Sequence, residues 1–149
     1  MSVRTRTEVP APREVKLRDP AYQAFLTLWI GFTVAPILFG LDKFFDLLVD
    51  WQIYLAPELS DLLPGSAHQI MLVVGAVEIL AGLLVLAWPR LGAPVVTAWL
   101  AGIIVNLLLQ ADYYDVALRD FGLLLGALAL ARLAAAFPAP LSRVRRSTS

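Results

Sequence analysis

Residues 67–88, AHQIMLVVGAVEILAGLLVLAW, form an apolar run of 22 residues interrupted by one carboxylate, Glu78, near its middle. At about 1.5 Å of helix rise per residue such a run crosses a hydrocarbon layer of about 30 Å, so it reads as a transmembrane helix. An ionisable group at that depth is expensive to bury, marks a functional site by default, and needs a partner. On helical spacing Glu78 shares its face with Met71, Gly75, Ala81 and Gly82. Small residues beside a polar one mark a face turned to other helices, not to lipid.

Working outward, three more runs have spanning length. Residues 21–41 are uncharged, with Pro36 inside them predicted to bend the outer half. Residues 91–111 are also uncharged, and residues 116–137 make a fourth helix whose Gly122 and Gly126 form a GxxxG packing motif continued by Ala129 and Ala136. Pro138 and Pro140 stop that helix. Residues 1–20 and 138–149 are basic cytoplasmic tails, the first broken by prolines and predicted to be disordered. Between the first two spans, LDKFFDLLVDWQIYLAPELSDLLPGS places Asp42, Asp46 and Asp50 at i, i+4 and i+8 among large apolar residues. This spacing predicts an amphipathic helix lying at the membrane interface, with Trp51 and Tyr54 as belt aromatics. The expected fold class is all-α: an integral membrane four-helix bundle with an extracytoplasmic interfacial helix between its first two spans.

Composition agrees, with 59% hydrophobic residues and a mean hydropathy of +0.73, where soluble domains are about half apolar. The absence of cysteine excludes disulfides, thiol redox centres, iron–sulfur ligation and thiolate zinc sites. A single histidine, His68, cannot ligate a haem on both faces, and the Asp42/Asp46/Asp50 stripe reads as a solvated helix face, so no metal is expected. Ten of the twelve Lys and Arg lie in the two tails, at Arg90 or at Arg132; the opposite side has Lys43 and Arg119 with eight acidic residues. By the positive-inside rule both termini are cytoplasmic. The lipid bilayer is the expected partner, and no nucleic acid is.

With that orientation the polar residues at membrane depth gather in the outer half: Asp42, Lys43, Glu78, Asn106, Gln110, Arg119 and Asp120, with His68 at the outer start of the second span. Each falls on a stripe of small residues: Gly31 and Ala35 below Asp42, Ala98 and Gly102 with Asn106 and Gln110, Gly122 and Gly126 with Arg119. Four such stripes are predicted to converge on the bundle interior. Glu78 lies eleven residues, roughly 16 Å, below the outer end of its helix, and the descending guanidinium of Arg119 is its expected partner, with Lys43 competing. Either these groups form a buried network that fixes helix register, or they line an outward-opening pocket for a small ligand, a quinone head group or a proton; a subunit interface is a third reading. His68 reads as an interfacial residue.

The stretches WIGFTVAPILFGLDKFFD, VGAVEILAGLLVLAWPRLGAP and YYDVALRDFGLLLGALALARL resemble the DoxX/DoxD-like family of small four-helix bacterial membrane proteins over about residues 25–133. The shared patterns are G-x-x-K-F at Gly40, Lys43 and Phe44, a mid-helix Glu followed by a small pair at Glu78, Ala81 and Gly82, and R-D at Arg119 and Asp120. The resemblance implies location in the bacterial cytoplasmic membrane. It also implies a family in which some members are subunits of thiosulfate:quinone oxidoreductase and others are linked to oxidant-defence complexes. The residues carry no self-sufficient catalytic or redox centre. One expectation is a membrane subunit that binds a quinone or similar amphiphile and supports an oxidoreductase partner. A non-catalytic scaffold, alone or as a homo-oligomer, is the alternative, and a small proton-coupled carrier is disfavoured because no inverted repeat is visible.

Overall fold

The computed structural model describes residues 18–137 and 139–141. The readings of residues 1–17 and 142–149 as tails, and of Pro138 as a helix stop, lie outside them. The described residues are helical, without a strand: α1 (Pro20–Phe45), a 3₁₀ turn (Trp51–Tyr54), a short α2 (Pro57–Leu62), α3 (Ala67–Ala87), α4 (Pro89–Gln110) and α5 (Tyr114–Ala136). Three of these, α1, α3 and α4, are long and apolar enough to cross a membrane, which points to a membrane protein. α5 is as long but carries Asp115, Arg119, Asp120 and Arg132.

Local chemistry sets the boundaries. Asp19 caps α1 by accepting from the Ala21 N–H at 2.9 Å, ahead of Pro20 in the first turn. Ser66 and Gln69 form a reciprocal capping box that opens α3 (3.3 and 3.0 Å). Trp88 alone joins α3 to α4, its carbonyl accepting from the Leu91 and Gly92 amides. That joint needs Gly92, since a Cβ there would lie 2.5 Å from the Val85 nitrogen.

The four long helices pack in the order α1, α3, α4, α5, with α5 closing against α1. Their buried residues recur at three- and four-residue spacing: on α5 Ala117, Asp120, Ala127, Leu130 and Ala134; on α4 Gly92, Val96, Leu100 and Leu107. This is the spacing of one inward-facing stripe on each helix. Large apolar side chains, among them Ile30, Leu80, Val105 and Leu118, stand exposed on the outer faces. α1, α3 and α4 therefore have no strongly polar side, and hydropathy alone could not tell their inner from their outer faces. The apolar core, Tyr22, Phe25, Val85, Val96, Ala127, Leu130 and Ala134 among others, lies toward the Pro20 end of α1.

Three sequence expectations are corrected. α1 continues to Phe45, so Asp42 and Lys43 sit inside it, buried, where the sequence reading ended the helix at Leu41. The aspartates do not line one amphipathic helix between the first two spans: Asp46 adopts a left-handed conformation (φ 49°) that ends α1, and Asp50 caps the 3₁₀ turn, so the three share no helix face. The stripes of small residues mostly point outward. Gly31, Gly102 and Gly122 have open space where a Cβ would stand, and Ala35, Ala98, Ala129 and Ala136 are exposed. Only the face of Glu78, with Met71, Gly75, Ala81 and Gly82, is buried as a set.

Candidate functional site

Where α1 crosses α3, glycine faces glycine. A Cβ on Gly40 would lie 2.5 Å from the Gly75 carbonyl oxygen, and one on Gly75 would lie 3.0 Å from the Lys43 Cβ. This close approach brings the two backbones together and sets Lys43, near the end of α1, opposite Glu78, at mid-helix in α3. The Lys43 Nζ donates to the Glu78 carboxylate at 2.7 Å, and the two side chains are 4% and 10% exposed. The other side of the ammonium lies 3.6 Å from the centre of the Trp51 ring, a cation–π contact. Both charges are thus shielded from solvent and matched within the chain, as burial requires.

Trp51 is held there by Asp42. The Asp42 carboxylate accepts from the Trp51 indole N–H (2.6 Å) and from the Leu47 and Leu48 amides (3.1 and 3.0 Å), which satisfies the chain reversal after α1. Residues 46–56 form a strap across the bundle mouth, and α4 fastens its far half. Asn106 donates to the Tyr54 carbonyl (2.6 Å) and accepts from the Ala56 amide (3.0 Å), while Gln110 donates to the Ile53 carbonyl. Phe39, Trp51, Tyr54 and Tyr113 then form a chain of ring contacts under and along the strap.

Of the remaining residues of the expected cluster, Asp120 lies within electrostatic range of Lys43 and Glu78, whereas Arg119 and His68 stand apart. Arg119 does not meet Glu78. It is 71% exposed, and among the described residues its only ion contact is a long one, 3.8 Å, to its neighbour Asp120. Asp120 is 8% exposed on the inner seam of α5. His68 is exposed in the first turn of α3. The partner of Glu78 is therefore Lys43, because the extension of α1 to Phe45 carries the lysine inward, whereas Arg119 lies off the α5 seam that Asp120 occupies.

Two features escaped sequence reading. Arg90 reaches from the first turn of α4 to the last turn of α5 and donates to the Ala134 and Ala135 carbonyls (2.9 and 3.2 Å). Trp29 on α1 donates to the Val85 carbonyl near the end of α3 (3.0 Å). The signal for Arg90, a cation beside a tight turn, was visible but was absorbed by the charge count. A cleft of about 330 Å³ runs between α3 and α4, lined by Val77, Ala81, Val95, Ala98 and Trp99. The Trp99 indole nitrogen is buried on the side of the Glu78 carboxylate.

Comparison with protein-family models, with characterised proteins and with solved structures finds no match to this chain.

Proposed function

We propose that this chain is a DoxX-like, four-helix integral membrane subunit of the bacterial cytoplasmic membrane, with both termini cytoplasmic, and that it acts as a non-catalytic scaffold for a partner subunit. The observation that carries the scaffold reading is the internal pairing of the polar groups. Lys43 is spent on Glu78 and Trp51, Asp42 on three donors, and Asn106 on the strap backbone. Groups so engaged fix helix register and close the mouth of the bundle. The membrane reading is supported by three spanning helices, by a fourth of equal length packed in the same layer, and by the one-sided distribution of cations. In this reading the strap lies at the extracytoplasmic surface, and its exposed Leu47 and Leu48, with Leu62 of α2, dip into the interface.

The cleft beside Trp99 favours a second reading, a quinone-type amphiphile bound between α3 and α4 on behalf of an oxidoreductase partner. Its apolar lining suits a flat ring. Thermal unfolding in detergent, with and without a short-chain benzoquinone, separates the two. The scaffold reading expects no quinone-dependent rise in Tm and a large loss on Lys43→Met. A rise that disappears in Trp99→Phe would establish the amphiphile reading instead.

A further inference from the structure

Asp115 and Arg119 stand one turn apart near the start of α5, at the i, i+4 spacing at which opposite charges on a helix ordinarily pair. Here they do not. Both are exposed, and among the described residues the only ion contact of Arg119 is the 3.8 Å approach to Asp120. We propose that this separated pair, with the exposed apolar face below it, is a binding site for the head group of a zwitterionic aminophospholipid of the phosphatidylethanolamine type. The proposal rests on the reading of α5 as a membrane crossing.

The order of charges matches the order in the lipid. In a phospholipid the phosphate lies nearer the hydrocarbon and the amine farther out. On α5 the cation, Arg119, lies one turn deeper than the anion, Asp115. Helical side chains lean toward the N-terminus, which is the mouth end of α5, so the guanidinium reaches back to phosphate level while its stem lies along apolar surface. Arginine offers a forked donor suited to two phosphate oxygens. Deeper along the same face, Gly122 leaves open space and Leu123 is exposed, which gives the acyl chains a bed.

The surroundings select for the amine. Among the described residues at this end, Lys43 is buried in its ion pair and Arg119 is the one exposed Lys or Arg. Asp46, Asp50, Glu58, Asp61, Asp112 and Asp115 are exposed in the segments at this same end. A rim of carboxylates repels a head group of net negative charge and attracts one that ends in a cation. A primary ammonium can donate hydrogen bonds to Asp115, whereas a quaternary choline has no N–H to donate.

The test is native mass spectrometry of the purified full chain in detergent with phosphatidylethanolamine, phosphatidylcholine or phosphatidylglycerol added at equal concentration. Wild type is expected to retain phosphatidylethanolamine about fivefold better than either of the others, as charge-assisted hydrogen bonds at an exposed site allow. Arg119→Gln should lower retention of phosphatidylethanolamine and phosphatidylcholine together. Asp115→Asn should bring phosphatidylethanolamine down to the phosphatidylcholine level, and Arg132→Gln, at the other end of α5, should change neither. A preference that survives Asp115→Asn, a preference for phosphatidylglycerol, or indifference to Arg119→Gln would overturn the proposal. Release of the chain from membranes by alkaline carbonate would overturn the membrane reading as well. A chain that stays in the membrane and shows no lipid preference defeats the lipid site alone.

Discussion

At the Phe45 end of α1 the long helices are tied by charge: a buried ammonium–carboxylate pair joins α1 to α3, an aspartate pins Trp51 over it, and two amides of α4 hold the strap. At the Pro20 end they are tied by rings and backbone carbonyls. Tyr22, Phe25 and Phe137 stack edge and tilt against one another, while Trp29 and Arg90 donate to the carbonyls of the last turns of α3 and α5. The difference lies in what happens when one member is lost. Removing a ring contact or a capping donor costs that interaction alone. Removing one ion leaves its partner buried and unmatched.

Deleting the ammonium is therefore expected to have the largest effect. Lys43→Met should cost about 3–5 kcal/mol, and the double variant Lys43→Met/Glu78→Met should recover most of it, because an apolar pair leaves no stranded charge. Melting in detergent checks this, and equal losses in the single and double variants would show that the pair is not the cause. Gly40→Ala comes next. Its methyl would meet the Gly75 carbonyl oxygen at 2.5 Å, so the α1–α3 crossing must open, at about 1–3 kcal/mol for overpacking.

Asn106→Ala sharpens the contrast by acting on one end only. Loss of its two bonds to the strap should cost about 1–2 kcal/mol and leave the Tyr54 carbonyl and Ala56 amide without their partner. Hydrogen exchange should quicken across residues 47–56 and stay unchanged around Phe25 and Val85; faster exchange at both sites would mean that the ends are coupled. Arg90→Ala makes the converse test at the other end. Freeing the Ala134 and Ala135 carbonyls should cost about 1 kcal/mol and fray the last turn of α5 without disturbing the strap. The smallest change is expected from Arg119→Leu, within about 0.5 kcal/mol, since its contact to Asp120 is long and solvent-exposed.

The sequence alone determined that the chain is helical, where three of its membrane-length helices run, and that Glu78 must find a cation. Apolar length, proline and capping residues act locally, and a buried charge needs a match wherever it sits. Which cation it found was decided only by tertiary structure. The choice between Lys43 and Arg119 depended on how far α1 extends and which seam α5 turns inward, and a helix apolar on every side carries no periodicity to reveal its inner face. The same ambiguity concealed that Gly31, Gly102 and Gly122 point outward. The strap was also beyond local reading. Asp42, Asp46 and Asp50 have helical spacing, but once α1 ends at Asp46 the carboxylate of Asp42 is needed by Leu47, Leu48 and Trp51, and those partners exist only when the chain has folded back on itself.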